Sequence, residues 1–197
     1  MSTAIHSNTA QAFETSLATW LPVDPAQASL RAEYLSFVRA GGDAALDRDG
    51  GAEHVTASCF VFNPHLSHLL LCFHKKGRFW VQLGGHVEPA DASVAAAALR
   101  EAREEGGITG LRPAGPAGPP PVDVHRHALS SRFGRCTTHW DVGYVAIAPT
   151  DATPVVSPES EDVRWWPTDA LPEQVPEGFA ERVAVVLREL AHQRDGL

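Results

Sequence analysis

Apolar residues change their spacing several times along the chain, and each change marks a different element. Between about 15 and 40 they recur at helical intervals, first Leu17, Trp20 and Leu21, then, beyond Pro22 and Pro25, Leu30, Tyr34, Leu35 and Val38. This predicts two short helices after a polar, frayed start. The stretch GGDAALDRDGGAE (41–53) is dense in glycine and aspartate and reads as a connecting loop. From 54 to 83 the runs HVTASCFVFNP, HLLLCFHK and RFWVQLGG are short, rich in β-branched and aromatic residues, and separated by turn chemistry at Asn63-Pro64 and Lys76-Gly77, so they read as strands.

An alanine-rich run from about Ala92 to Glu105 has high helix propensity, with Asp91 or Ser93 as N-cap and Gly106-Gly107 as its stop. RPAGPAGPPP (112–121) is predicted to be an exposed loop outside any ladder, because proline has no N–H to donate. VDVHRHAL, HWDVGYVAIAP and DVRWWP are again strand-like, and FAERVAVVLRELAHQ closes the chain as an amphipathic helix. Strands then helix, twice over, predict an α/β or α+β sandwich. The division expected is 1–53, an N-terminal helical extension and linker packed on the core, and 54–197, the domain that carries the chemistry.

Composition narrows the partners. A net charge of -8 argues against a nucleic-acid polymer or an anionic membrane as the main partner unless a cation intervenes. Cys59, Cys72 and Cys136 are widely spaced, which suggests neither a zinc knuckle nor a disulfide framework; the first two sit in apolar runs as small buried hydrophobes. The start MSTAIHSNTA lacks the regions of a signal peptide, and no apolar run is long enough to span a bilayer, so the cytoplasm is the expected location.

The sharpest feature is GGHVEPADASVAAAALREAREEGG (84–107). On a helical wheel Glu104, Glu101 and Glu105 fall about 40°, about 100° and about 140° from Arg100, sharing one face, with Ala95, Leu99 and Ala102 expected on the packing face. Charges on a helix are ordinarily a solvated face, and Arg100 with Glu104 is an ordinary (i, i+4) pair. Yet glutamates crowded at a helix C-terminus oppose the macrodipole and repel one another. A hard divalent cation would compensate, taking carboxylate oxygens as ligands. Gly84-Gly85 upstream lets backbone approach a ligand.

This segment resembles the Nudix box, G-x5-E-x7-R-E-U-x-E-E-x-G-U, matching at Gly85, Arg100, Glu101, Ala102, Glu104, Glu105, Gly107 and Ile108. The first acid departs: Gly85 plus six is Asp91, followed by eight residues before Arg100 where the family has seven. The likeness extends from about His54 to Pro172 through HKKGRFWVQLGGHVEPAD and SPESEDVRWWPTDALPE. The resemblance implies an α-β-α sandwich with a mixed β-sheet, Mg²⁺ or Mn²⁺ as cofactor, and hydrolysis of a diphosphate linkage in a small nucleoside diphosphate derivative. It further implies Glu101, Glu104, Glu105 and the carbonyl of Gly84 or Gly85, with Gly85 preferred, as metal ligands, one of the three glutamates as general base, with Glu101 and Glu104 preferred as catalytic carboxylates, and Arg100 as the group that orients them. Glu159 or Glu161 is a candidate acid from outside the box. His86, Glu161 and Trp80 are the expected substrate contacts, and a homodimer is a compatible assembly.

Other residues carry weaker signals. His125 and His127 should share one strand face, suited to zinc or phosphate, although ordinary hydrogen bonding is the plainer reading. Lys75 and Lys76 read as solvated hairpin lysines, and Trp140, Trp165 and Trp166 as core or cleft walls. A catalytically silent binding protein is the alternative function. An isomerase acting on isopentenyl diphosphate would need a cysteine where this chain has GGHVEP.

Overall fold

In the computed structural model, which describes residues 8–115, 119–129, 136–158 and 160–195, Pro22 and Pro25 separate two N-terminal helices as their spacing requires. They are α1 (Thr9–Thr19) and α2 (Pro25–Gly41). Asp24 caps α2 by accepting from the N–H of Ala26 at 2.9 Å, and Pro25 occupies the first turn, where no N–H is needed. Arg31 reaches back to the carbonyls of Leu17 and Ala18, each at 2.6 Å, and so caps the end of α1. The stretch 41–53 is not all loop, since Gly42–Ala45 forms a 3-10 turn.

The strands are β1 (Glu53–Phe62), β2 (His68–His74), β3 (Phe79–Val81), β4 (Leu83–His86), β5 (Arg112–Pro113), β6 (Asp123–Ala128), β7 (Thr138–Ile147) and β8 (Ser160–Pro167). Helices α3 (Val94–Gly106) and α4 (Phe179–Asp195) complete the chain. RFWVQLGG, one strand by its sequence, is broken at Gln82. β3 pairs with β2 while β4 pairs with β1, and the buried Gln82 side chain donates to Ser58 Oγ at 3.0 Å at the crossing. The proline-rich segment departs from its expectation too. Arg112 and Pro113 pair with Ile147 and Ala146 at an edge, and Ala114 N–H continues to the Val145 carbonyl at 2.9 Å. Proline is tolerated there because an edge strand needs donors on one side only.

The sheet is mixed. β1 and β7 run parallel along their whole length, and the other pairings are antiparallel. Alternation along β1 divides the core: Val55, Ala57, Cys59 and Val61 join α3 residues Ala97, Ala98 and Ala102, whereas Phe60 and Phe62 join α4 residues Val183, Val186 and Leu190. Each fully buried large side chain contributes about 1.5–3 kcal/mol, so both layers are substantial. Cys59 and Cys72 are buried and unbridged, and burial pushes both thiols up to about 12, which makes them inert.

α2 covers the free edge at β6, with α1 packed against it. The Gln27 amide stands in for a missing strand, accepting from Val124 N–H at 2.7 Å and donating to its carbonyl at 3.1 Å. Trp20 Nε1 and Val23 N–H donate to the buried carboxylate of Glu189 on α4, at 2.8 and 2.9 Å, and Phe37 stacks on Trp140 at 4.4 Å. No helix among the described residues is long and apolar enough to cross a membrane.

Candidate functional site

Ser93 fixes the start of α3 by accepting from Ala96 N–H at 3.1 Å, and Gly107, in the left-handed region at φ 61°, ends it. Between these caps the buried positions are Val94, Ala97, Ala98, Ala102, Glu105 and Gly106. The wheel reading therefore needs correction. Ala95 and Leu99 are only partly buried, and Glu105, expected with the other glutamates on an open face, lies inside the packing stripe at 7% exposure. What admits a carboxylate there is the bare backbone of β4, whose Gly84 N–H donates to Glu105 Oε2 at 2.8 Å.

Gly85 acts by absence of a side chain as well. A Cβ at this position would lie 2.5 Å from the Glu101 carboxyl carbon, so the missing methyl is what lets that carboxylate sit against β4. Arg100 organises the rest. Its Nε donates to Asp91 Oδ1 at 3.0 Å, its Nη1 to Glu101 Oε1 and Glu104 Oε2 at 3.0 Å each, and its Nη2 to Asp91 Oδ2 at 3.0 Å and the His86 carbonyl at 2.9 Å. A guanidinium has about five N–H donors, and all are engaged. Hydrogen bonding to Asp91, with the Glu101 charge adding to it, outweighs the opposing effect of burial and pushes the Arg100 pKa further above its ordinary value. Arg100 is thus a fixed cation beneath the glutamates, relieving their mutual repulsion and their conflict with the helix dipole. The loop is also accounted for: Asp91 takes the place of the longer acid, its Oδ2 accepting Glu88 N–H at 2.8 Å as well.

The donor set fits a hard divalent cation. Glu101 is mostly buried, with its side chain 14% exposed, Glu104 opens to solvent at 59%, and all the candidate ligands are oxygens. Arg100, Glu101, Glu104, Glu105, Gly85 and Asp91 are therefore brought together.

The other expected residues lie elsewhere. The His86 carbonyl faces Arg100, but its ring turns to the opposite side of β4, against His54 and His139 at centroid distances of 5.0 and 5.6 Å. Trp80 is buried in the α4-side core with Phe73 and Trp166. Glu161 is exposed on β8 and pairs with Arg78. Glu159 lies outside the described residues. Lys75 reaches the Pro158 carbonyl, while Lys76 borders a cavity of about 550 Å³ shared with His54, His86 and His139. His125 and His127 do share a face, their rings stacked 5.2 Å apart.

Two groups were hidden from the sequence. On the α4 side Arg182 lies between the buried Asp123 and Asp141, reaching Asp141 at 2.8 Å. Burial raises the Asp141 carboxyl, but Arg182 and Ser58 outweigh it and hold it below the usual range, while burial leaves Asp123 raised. The second group is His54, Cys136 and His139, whose ligand atoms lie within 4.8 Å of one another. The β1–β7 parallel register, which sets His54 beside His139, is what assembles it.

Comparison with known proteins agrees with this architecture. The NUDIX domain family matches residues 52–190. Among solved structures, a hydrolase of the NUDIX family from Clostridium perfringens is 22% identical, with a TM-score of 0.53 over 71% of this chain and 97% of that one. The dihydroneopterin triphosphate pyrophosphohydrolase of E. coli is 15% identical, with a TM-score of 0.53 over 70% of this chain and 95% of its own. A UDP-X diphosphatase, 16% identical with a TM-score of 0.53, covers 94% of this chain and 91% of its own, a span that takes in the N-terminal helices. No curated protein sequence matches the chain significantly.

Proposed function

We propose that this chain, which belongs to the NUDIX family, uses a divalent cation, Mg²⁺ or Mn²⁺, to hydrolyse the diphosphate linkage of a nucleoside diphosphate derivative. As a Nudix pyrophosphohydrolase it acts on phosphoric anhydrides; the cation and the substrate class are our reading. The observation that carries it is the Arg100-centred cluster, in which Asp91, Glu101 and Glu104 are each held at 3.0 Å beside the bare Gly85. Names of similar folds, a UDP-X diphosphatase and a dihydroneopterin triphosphate pyrophosphohydrolase, support a small phosphoanhydride as substrate.

Glu101, Glu104 and Glu105, with the Gly85 carbonyl, would hold the cation, which when bound supplies charge neutralisation to the phosphoryl oxygens. The remaining work belongs to the chain. Arg100, with every donor engaged, orients Glu101 and Glu104 and makes no substrate contact. Glu104 is the most open of the three carboxylates and uses Oε2 for Arg100, so its Oε1 is assigned to accept the proton of the attacking water. Asp91 keeps Arg100 from swinging toward solvent and ties the 86–91 loop to α3.

The test is a panel of nucleotide sugars, dinucleotides, nucleoside triphosphates and ADP-ribose, incubated with Mg²⁺ or Mn²⁺ and followed by chromatography of the phosphomonoester or pyrophosphate products, with Glu104→Gln as control. One nucleoside diphosphate derivative should turn over only with the cation, and the variant should lose about 10²–10⁴-fold in kcat. If nothing turns over, or the variant matches the parent, the hydrolase assignment fails and a silent binding protein takes its place.

A further inference from the structure

We infer that His54, Cys136 and His139 form a binding site for a borderline-soft divalent metal of the Zn²⁺ class, separate from the carboxylate site. It lies on the other face of the sheet. Gly85 turns toward Glu101 of α3, whereas the next residue, His86, turns its ring toward His54, and His139 lies two positions before Asp141, which Arg182 of α4 contacts.

The spacing suits a tetrahedral ion. With Zn–S near 2.3 Å and Zn–N near 2.0–2.1 Å, a sulfur and a nitrogen at a tetrahedral angle stand about 3.5–3.6 Å apart. Cys136 Sγ is 3.6 Å from His54 Nδ1, and all three ligand atoms lie within 4.8 Å of one another. Two imidazoles and a thiol are the wrong donors for Mg²⁺ and the right ones for zinc.

Two neighbouring strands place the residues. His54 and His139 are register partners on the parallel strands β1 and β7, and Cys136 precedes β7, with Sγ 3.6 Å from the Thr138 carbonyl. Three protein ligands leave a fourth position, which opens to the 550 Å³ cavity where His86 and Lys76 also stand. Burial favours the neutral imidazole of His54 and His139, the form that offers a lone pair. Binding would convert the Cys136 thiol to a thiolate and release one proton to solvent.

Cobalt is the informative probe. The full chain, freed of metal with a chelator, is titrated with Co²⁺ and then Zn²⁺, following the thiolate-to-cobalt charge-transfer band and the metal content after dialysis. The band reports Cys136 alone among the described thiols, because Cys59 and Cys72 are buried with pKa values pushed up to about 12. The band should saturate at one equivalent of Co²⁺ bound at this site, whatever further cobalt the carboxylate site takes, and one equivalent of Zn²⁺ should abolish it. Cys136→Ser should remove the band, and His139→Ala should weaken binding beyond the roughly 10–100-fold that losing an outer-shell partner costs. Both variants are to be checked by circular dichroism; Glu104→Gln, at the carboxylate site, should leave the band intact. Absence of stoichiometric binding, or a band and affinity unchanged in folded Cys136→Ser and His139→Ala, overturns the site and leaves a thiol–imidazole hydrogen bond.

Discussion

Asp91 and Arg100 are joined by two hydrogen bonds, Nε to Oδ1 and Nη2 to Oδ2, each 3.0 Å long and spanning nine positions of sequence. The acid is shorter than the family's glutamate, and one extra residue lies between it and the arginine. The two departures offset each other, because the longer loop carries the shorter side chain to the same guanidinium. Asp91→Asn should therefore cost about 1.5–3 kcal/mol, the range for hydrogen bonds to charged groups. Asp91→Glu should not be neutral either, since Asp91 is 8% exposed and an added methylene overpacks its site. Urea unfolding of both variants beside the parent measures this; a glutamate variant as stable as the parent would contradict the compensation.

Gly85→Ala separates the candidate site from the fold. The added Cβ meets the end of a flexible side chain, the Glu101 carboxylate at 2.5 Å, so the protein should yield there at a cost below about 1 kcal/mol. The displaced carboxylate should instead weaken the apparent Mg²⁺ affinity by about 10–100-fold, as judged from activity against cation concentration. A normal cation dependence with a folded protein would remove Glu101 from the ligand set.

Arg182→Leu tests the buried network under α4. Removing the guanidinium leaves Asp123, fully buried, and Asp141, 3% exposed, without their cation, and should cost about 3–5 kcal/mol near neutral pH. The deficit should shrink as pH falls and the orphaned carboxylates take up protons. Denaturant titrations of variant and parent at several pH values give both numbers, and a deficit that is independent of pH argues against charge burial as its cause.

Acid should destabilise the folded chain through His125. Burial, then the Arg182 charge, lowers its pKa to about 4, with Asp141 acting the other way and His127 adding to the depression. An unfolded histidine titrates near 6.5, so between about pH 6.5 and 4 the unfolded chain binds more protons and stability falls on acidification. His125→Gln should flatten the curve of stability against pH in that window when measured on chelated protein. An unchanged slope would assign the acid sensitivity to other groups.

Much of this protein was legible before any coordinates. Hydrophobic periodicity located the helices and the strand-rich core, and the box residues from Arg100 to Ile108 pointed to the family, because both depend on local spacing, which the sequence carries directly. Ser93, one of two candidate caps, is the one used, since capping is also a local geometry.

Tertiary structure decided everything that depends on which strands become neighbours. The split of RFWVQLGG at Gln82 exists because its two halves pair with different strands. Glu105 was expected to be open and is buried because Gly84 offers it an N–H across the helix–sheet gap, a contact no wheel contains. His54 and His139 meet only through the parallel register of β1 and β7, and Arg182 meets Asp123 and Asp141 only because α4 lies on that face. Spacing within one element is set by bond geometry and can be read off the chain; proximity between elements is set by the cooperative burial of both sheet faces, and that is settled only when the whole chain packs.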